Sequence, residues 1–203
     1  AQIQDMDAEY FLLVEEDGKE GDRAISFNHP YDRTYPASIT KLMTALVCVS
    51  SVENLDQEFV VSGSSVIKEA GSSTAFLQVG ESLSIRNLLY GMLLPSGNDA
   101  AVAVAEATAG SVSAFVDRMN EKALELGCLS SHFTNPHGLP DDNHYTSPYD
   151  IYLILKECMK YDSLREILAT KEIQVQYKDK NGISKSQVWK ATNLYSTGEK
   201  ELP

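Results

Sequence analysis

The stretch Pro36–Leu46, "PASITKLMTAL", decides how the rest of the chain is read. It sets Ser38 and Lys41 three residues apart at the head of an apolar run: Leu42, Met43, Ala45, Leu46, Val47 and Val49. Apolar residues nearly all round a helix mark one that is buried on most sides. Residues i and i+3 share a face, so Ser38 sits in the first turn with the Lys41 amine in reach of its hydroxyl. A serine hydroxyl is a poor nucleophile until a base takes its proton, and an ammonium cannot take it. Burial disfavours a charged amine and lowers its pKa, and the positive end of a helix pushes the same way. The pattern therefore reads as a serine paired with a lysine that is neutral for part of the time. Taken alone, Ser-x-x-Lys is also a capping serine followed by a surface lysine, so the reading needs further residues.

A second short stretch supplies them. "LLPSGNDAA" puts Ser96, Gly97 and Asn98 on a loop between two apolar helical segments. By itself it is a turn and helix cap. Beside a buried Ser/Lys pair, Ser96 offers a hydroxyl that can pass a proton to a leaving group, and Asn98 an amide that can hold a substrate backbone.

The elements around these motifs follow from periodicity and punctuation. "EYFLLVEE" (Glu9–Glu16) and "RAISFNH" flank an Asp17-Gly18 turn and read as a hairpin. "EFVVSG" (Glu58–Gly63) reads as a short strand. Ser84 caps a helix from Ile85 to about Leu94, and Asp99 opens the next, which Gly110 ends. Ser111 caps a helix from Val112 to Leu126, stopped by Gly127. After a loop over Thr134–Tyr145, Ser147-Pro148 starts a helix to about Lys160, and a shorter one covers Ser163–Ala169. "EIQVQY" (Glu172–Tyr177) and "SQVWK" (Ser186–Lys190) close the chain as strands joined by a turn at Asn181-Gly182. Strands first, helices in the middle and strands last make an α+β fold. The N-terminal hairpin has few strands with which to build a sheet, and an isolated ribbon is marginal in water.

Composition excludes several classes. The 203 residues carry a net charge of −12 without acidic blocks, which argues against a nucleic-acid binder and accords with solubility. No run of about 18 apolar residues is present. The start, "AQIQDMDAEYF", has neither the basic nor the apolar region of a signal peptide. Cys48, Cys128 and Cys158 lie among apolar neighbours and form neither a disulfide framework nor a zinc motif. His132, His137 and His144 cluster around "NPHGL" with no HExxH or cysteine partner, so no metal is expected. A Ser-His-Asp triad is not excluded by spacing, because triads are defined in space.

"PASITKLMTAL", "LLYGMLLPSGNDAAVAVAE" and "FTNPHGLPDDNHYTSPYD" together resemble the serine D-alanyl-D-alanine carboxypeptidases, the low-molecular-weight penicillin-binding proteins. The likeness runs in the family's order from about Glu9 to Trp189. It implies a penicillin-binding-protein/β-lactamase-like fold, an antiparallel sheet packed with helices, with about 64–170 as a mostly helical subdomain. It also implies Ser38 as the acylated nucleophile, Lys41 as its base, Ser96 as proton relay, and Asn98 with Gly97 as substrate-binding residues. Neither cofactor nor metal is implied. The implied ligands are peptidoglycan stem peptides ending in D-Ala-D-Ala, with β-lactams as covalent ligands and an extracytoplasmic location.

One family motif is missing. No KTG occurs in residues 1–203, and the "STG" at Ser196–Gly198 runs into the charged "EKELP" rather than an apolar strand. The expectation is that the sheet is incomplete in this chain, and that a second polypeptide or C-terminal fragment supplies the KTG strand. Two rivals differ in chemistry. A class A-like β-lactamase needs a glutamate after the second motif, and none lies between Leu126 and Asp150. A non-catalytic wall-binding or regulatory module would keep the pocket without the third motif.

Overall fold

The computed structural model describes residues 8–16, 21–66 and 72–192. The Asp17-Gly18 turn and the Ser196–Gly198 stretch lie outside the described residues. The described residues form two antiparallel sheets and a set of helices. β1 (Phe11–Glu15) and β2 (Arg23–Asn28) form the N-terminal hairpin, with a bulge between Leu13 and Val14. The second sheet runs β3 (Glu58–Val60), β4 (Ser82–Ser84), β5 (Glu172–Lys178), β6 (Ser184–Lys190). The sequence reading had no β4. Three residues around a single buried side chain, Leu83, are too few to show an alternating pattern. β4 links the closing hairpin to the middle of the chain, so among the described residues the N-terminal hairpin pairs only with itself.

The described residues form six α-helices: α1 (Thr40–Ser51), α2 (Ile85–Leu93), α3 (Asn98–Ala109), α4 (Val112–Leu126), α5 (Pro148–Cys158) and α6 (Asp162–Ala169). Their ends follow local chemistry. Ser84, Ser111 and Ser147 accept the backbone N–H of Asn87, Ala114 and Asp150. Gly110 and Gly127 close α3 and α4 in the left-handed conformation. Two starts differ from the sequence reading. Ser38 belongs to a 3-10 turn, Ala37–Ile39, and α1 begins after it at Thr40. α3 begins at Asn98, which puts Asp99 inside its first turn.

α1 runs through the centre, with Met43 and Ala45–Cys48 all at most 2 % exposed. α3 packs beside it and is built from small residues: Ala100, Ala101, Ala103 and Ala105 are fully buried. Short side chains let the two helices approach closely, and each helix carries one motif at its N-terminus. This packing brings Lys41 and Asn98 together across 57 residues of sequence.

Candidate active site

Lys41 is the centre of the site. Only 2 % exposed, its Nζ donates to Ser38 Oγ at 3.2 Å, Asn98 Oδ1 at 2.8 Å and the His137 carbonyl at 2.9 Å. Three partners match the three protons of an ammonium. They match the neutral amine equally well, because two are oxygens that only accept and the third is a hydroxyl that can donate. In the neutral state the two N–H groups hold Asn98 and His137, and the lone pair faces the Ser38 hydroxyl. Burial brings the Lys41 pKa from its ordinary value of 10.5 to about 8, against an opposing pull from the Asp99 carboxylate. Near neutral pH a part of the population therefore carries the neutral amine.

Ser96 completes a line of hydroxyls, its Oγ donating to Ser38 Oγ at 3.0 Å. Its backbone is held at φ 60°, a conformation disfavoured for a residue with a side chain. The next residue, Gly97, closely approaches neighbouring backbone. A Cβ there would lie 2.6 Å from the Gly91 carbonyl oxygen and 2.8 Å from the Ala75 nitrogen. The structure thus gives Gly97 a packing role beside the substrate-binding one expected from sequence. Asn98 is buried and spends its Oδ1 on Lys41.

The 134–145 loop forms the wall next to the nucleophile. Thr44 donates to the Pro136 carbonyl at 2.6 Å, and the His137 carbonyl holds Lys41. Gly138, at φ 89°, crosses directly over Ala37, itself held at φ 47°. The histidines do not assemble a triad with Ser38. His144 accepts the Thr134 N–H on Nδ1, so its proton sits on Nε2 and is donated to Thr40 Oγ1 at 2.7 Å. His137 Nδ1 accepts the Leu139 N–H, and His132 bonds the Asn143 carbonyl. Among the described residues, no group of three His, Cys, Asp or Glu side chains is placed to hold a metal. The three cysteines are free and buried, with thiol pKa values raised by burial to about 11 for Cys48 and about 12 for Cys128 and Cys158.

Burial lowers the pKa of both His137 and His144 from 6.5 to about 4, so the fold holds them neutral. Between these values the unfolded chain binds more protons than the native one. Stability is then complete above about pH 6.5 and is lost as the pH falls towards 4. Each imidazole is expected to cost about 2 kcal/mol between pH 7 and pH 5. Urea unfolding midpoints at the two pH values check this, with the His144→Gln variant expected to lose the smaller share.

Sequence reasoning missed two residues of this site. Asp99 was read only as a helix start, yet it is 3 % exposed and accepts four hydrogen bonds. Gly138 was read only as part of the loop over Thr134–Tyr145, with nothing to point to Ala37.

At the head of the central helix the Ser38 hydroxyl lies between a buried lysine and a second serine, on a fold of the penicillin-binding-protein/β-lactamase-like kind. The structure superposes on the Streptomyces K15 DD-transpeptidase with a TM-score of 0.86 at 29% identity, covering 94% of this chain and 76% of that one. It also matches the D-alanyl-D-alanine carboxypeptidase DacD from Francisella tularensis, with TM-score 0.74, 32% identity, and 86% and 42% of the two chains covered. In sequence, the D-alanyl-D-alanine carboxypeptidase DacF of Bacillus subtilis is 39% identical over 143 residues, 70% of this chain and 37% of that protein. The profile of the D-alanyl-D-alanine carboxypeptidases (peptidase family S11) matches residues 1–201. The chain belongs to this family. It spans only about a third to three-fifths of the length of the curated relatives it matches.

Proposed function

We propose that the protein carrying this chain removes the terminal D-alanine from peptidoglycan stem peptides through an acyl-enzyme on Ser38. The observation that carries this reading is the burial of Lys41 with its Nζ 3.2 Å from Ser38 Oγ. Neutral Lys41 takes the Ser38 proton as Oγ attacks the carbonyl of the penultimate D-alanine. The tetrahedral intermediate collapses as the C–N bond breaks, and the leaving amine receives its proton through Ser96. Water then attacks the ester, with Lys41 again the base, and the carboxylate product leaves. The Ser38 N–H, in a first turn where helix geometry offers it no carbonyl, is one oxyanion donor. The second would come from a KTG-type strand, a sequence absent from residues 1–203, on the same or a second polypeptide. Losing one such donor typically costs about 10²–10³ in rate.

β-Lactams are covalent ligands of the same serine in this reading, and a wall substrate places the protein outside the cytoplasmic membrane. A module that only binds wall peptides gains nothing from a lysine stripped of water, which speaks for chemistry over binding alone. The test is release of D-alanine from a peptide ending in D-Ala-D-Ala. Release by the full protein and its loss in Ser38→Ala are expected. Binding of that peptide without release would favour the wall-binding reading instead.

A further inference from the structure

The carboxylate of Asp99 is buried beside the Ser38–Lys41 pair. It sits in the first turn of α3, directly after Asn98, where the helix N-terminus favours negative charge. Oδ1 accepts the N–H of Ala75 at 2.8 Å and of Ala100 at 2.9 Å. Oδ2 accepts the Leu77 N–H at 2.9 Å and the Thr74 hydroxyl at 2.7 Å. Three of the four donors come from residues 74–77, a stretch with neither helix nor strand to satisfy its own backbone.

That stretch is the backing of the catalytic loop. The Ser73 carbonyl accepts the Asn98 N–H at 2.9 Å, and Ala75 packs against Gly97. The Ala75 carbonyl accepts from Trp189 Nε1 and Gln187 Nε2 of β6. Asp99 therefore joins α3, the Ser96–Asn98 loop and the second sheet at one point, a single residue from the amide that holds Lys41. Within the clamped stretch Phe76 stands at φ 62° and is 71 % exposed, a conformation costing about 1 kcal/mol or more for a bulky residue.

Resting on the acyl-serine reading above, we propose that Asp99 is a positioning residue for the Ser38–Lys41 pair. Its four bonds fix residues 73–77 behind Asn98, and its charge is the anionic counterweight to the buried Lys41 amine. The titratable groups facing Lys41 are Asp99 from α3 and His137 from the 134–145 loop, with His144 next to His137. Both imidazoles are neutral at pH 7, so Asp99 is the charge that acts on Lys41. It favours the ammonium, and removing it makes the amine lose its proton at lower pH.

The test is the rate of Ser38 acylation by benzylpenicillin from pH 5.5 to 9, in the full protein. Acylation needs neutral Lys41, so the rate rises with pH along an acid limb. Asp99→Asn is expected to lower the plateau about tenfold or more, because displaced catalytic groups lose rate steeply. It is also expected to move the acid limb to lower pH by about half a unit or more. Asp99→Glu keeps the charge but not the geometry, so its plateau falls while its limb stays. An unmoved limb in Asp99→Asn, or a wild-type plateau in Asp99→Glu, overturns the proposal. If Asp99→Asn does not fold, Thr74→Val decides the positioning half: a plateau at least threefold lower supports it, and the wild-type rate overturns it. No adduct on the unsubstituted protein would overturn the acyl-serine reading itself, a distinct outcome.

Discussion

Lys41→Met is expected to slow acylation of Ser38 by about 10²–10⁴, the usual contribution of a positioned general base. Methionine refills most of the buried stem of Lys41 but offers no lone pair at Nζ. It also leaves Asn98 Oδ1 and the His137 carbonyl without their donor. Each orphaned acceptor costs about 1–3 kcal/mol, offset in part because no amine is held out of water. Lys41→Arg separates base from cation. A guanidinium keeps the positive charge and cannot give up its proton at any working pH, so it should be as slow as methionine. Single-turnover acylation rates of the two variants make the comparison, and an active Arg variant would mean that Lys41 serves as a fixed charge.

Gly138→Ala is the substitution expected to damage the fold most. Its added Cβ would lie 1.8 Å from the Ala37 carbonyl oxygen and 2.4 Å from the Ala37 carbonyl carbon, both rigid backbone atoms. The left-handed φ of 89° adds about 1–2 kcal/mol for any residue with a side chain. Together a loss of about 3–5 kcal/mol is expected, read as a fall in the denaturation midpoint. Because Ala37 precedes the nucleophile, the 3-10 turn that presents Ser38 must shift, and acylation should fall with stability. By contrast Gly110→Ala, with open space around its added Cβ, should show only the backbone cost.

How much of this was readable beforehand depends on the reach of each interaction. The caps at Ser84, Ser111 and Ser147 and the stops at Gly110 and Gly127 act within one turn, so local sequence carries them. The Ser38–Lys41 contact was readable for the same reason: a spacing of three brings the side chains together although Ser38 stands in the 3-10 turn before α1. Ser96 and Asn98 drew roles only from the company of the Ser/Lys pair, since their contacts to Ser38 and Lys41 span 58 and 57 residues. The Asp99 clamp and the crossing of Gly138 over Ala37 have no local signature. Each joins a segment without regular structure to a distant helix start, and such a segment shows no period. Ala37 at φ 47° is the clearest case, because nothing in an alanine announces a left-handed backbone. The second sheet was hidden by β4, too short to announce itself between the middle of the chain and the closing hairpin.

The central claim is that Ser38 is the nucleophile that Lys41 activates. Intact-protein mass spectrometry of the full protein after incubation with benzylpenicillin, followed by peptide mapping, tests it most directly. One penicilloyl adduct on the peptide containing Ser38, absent from Ser38→Ala, is the expected result. An adduct on another residue, or none on the unsubstituted protein, would contradict it.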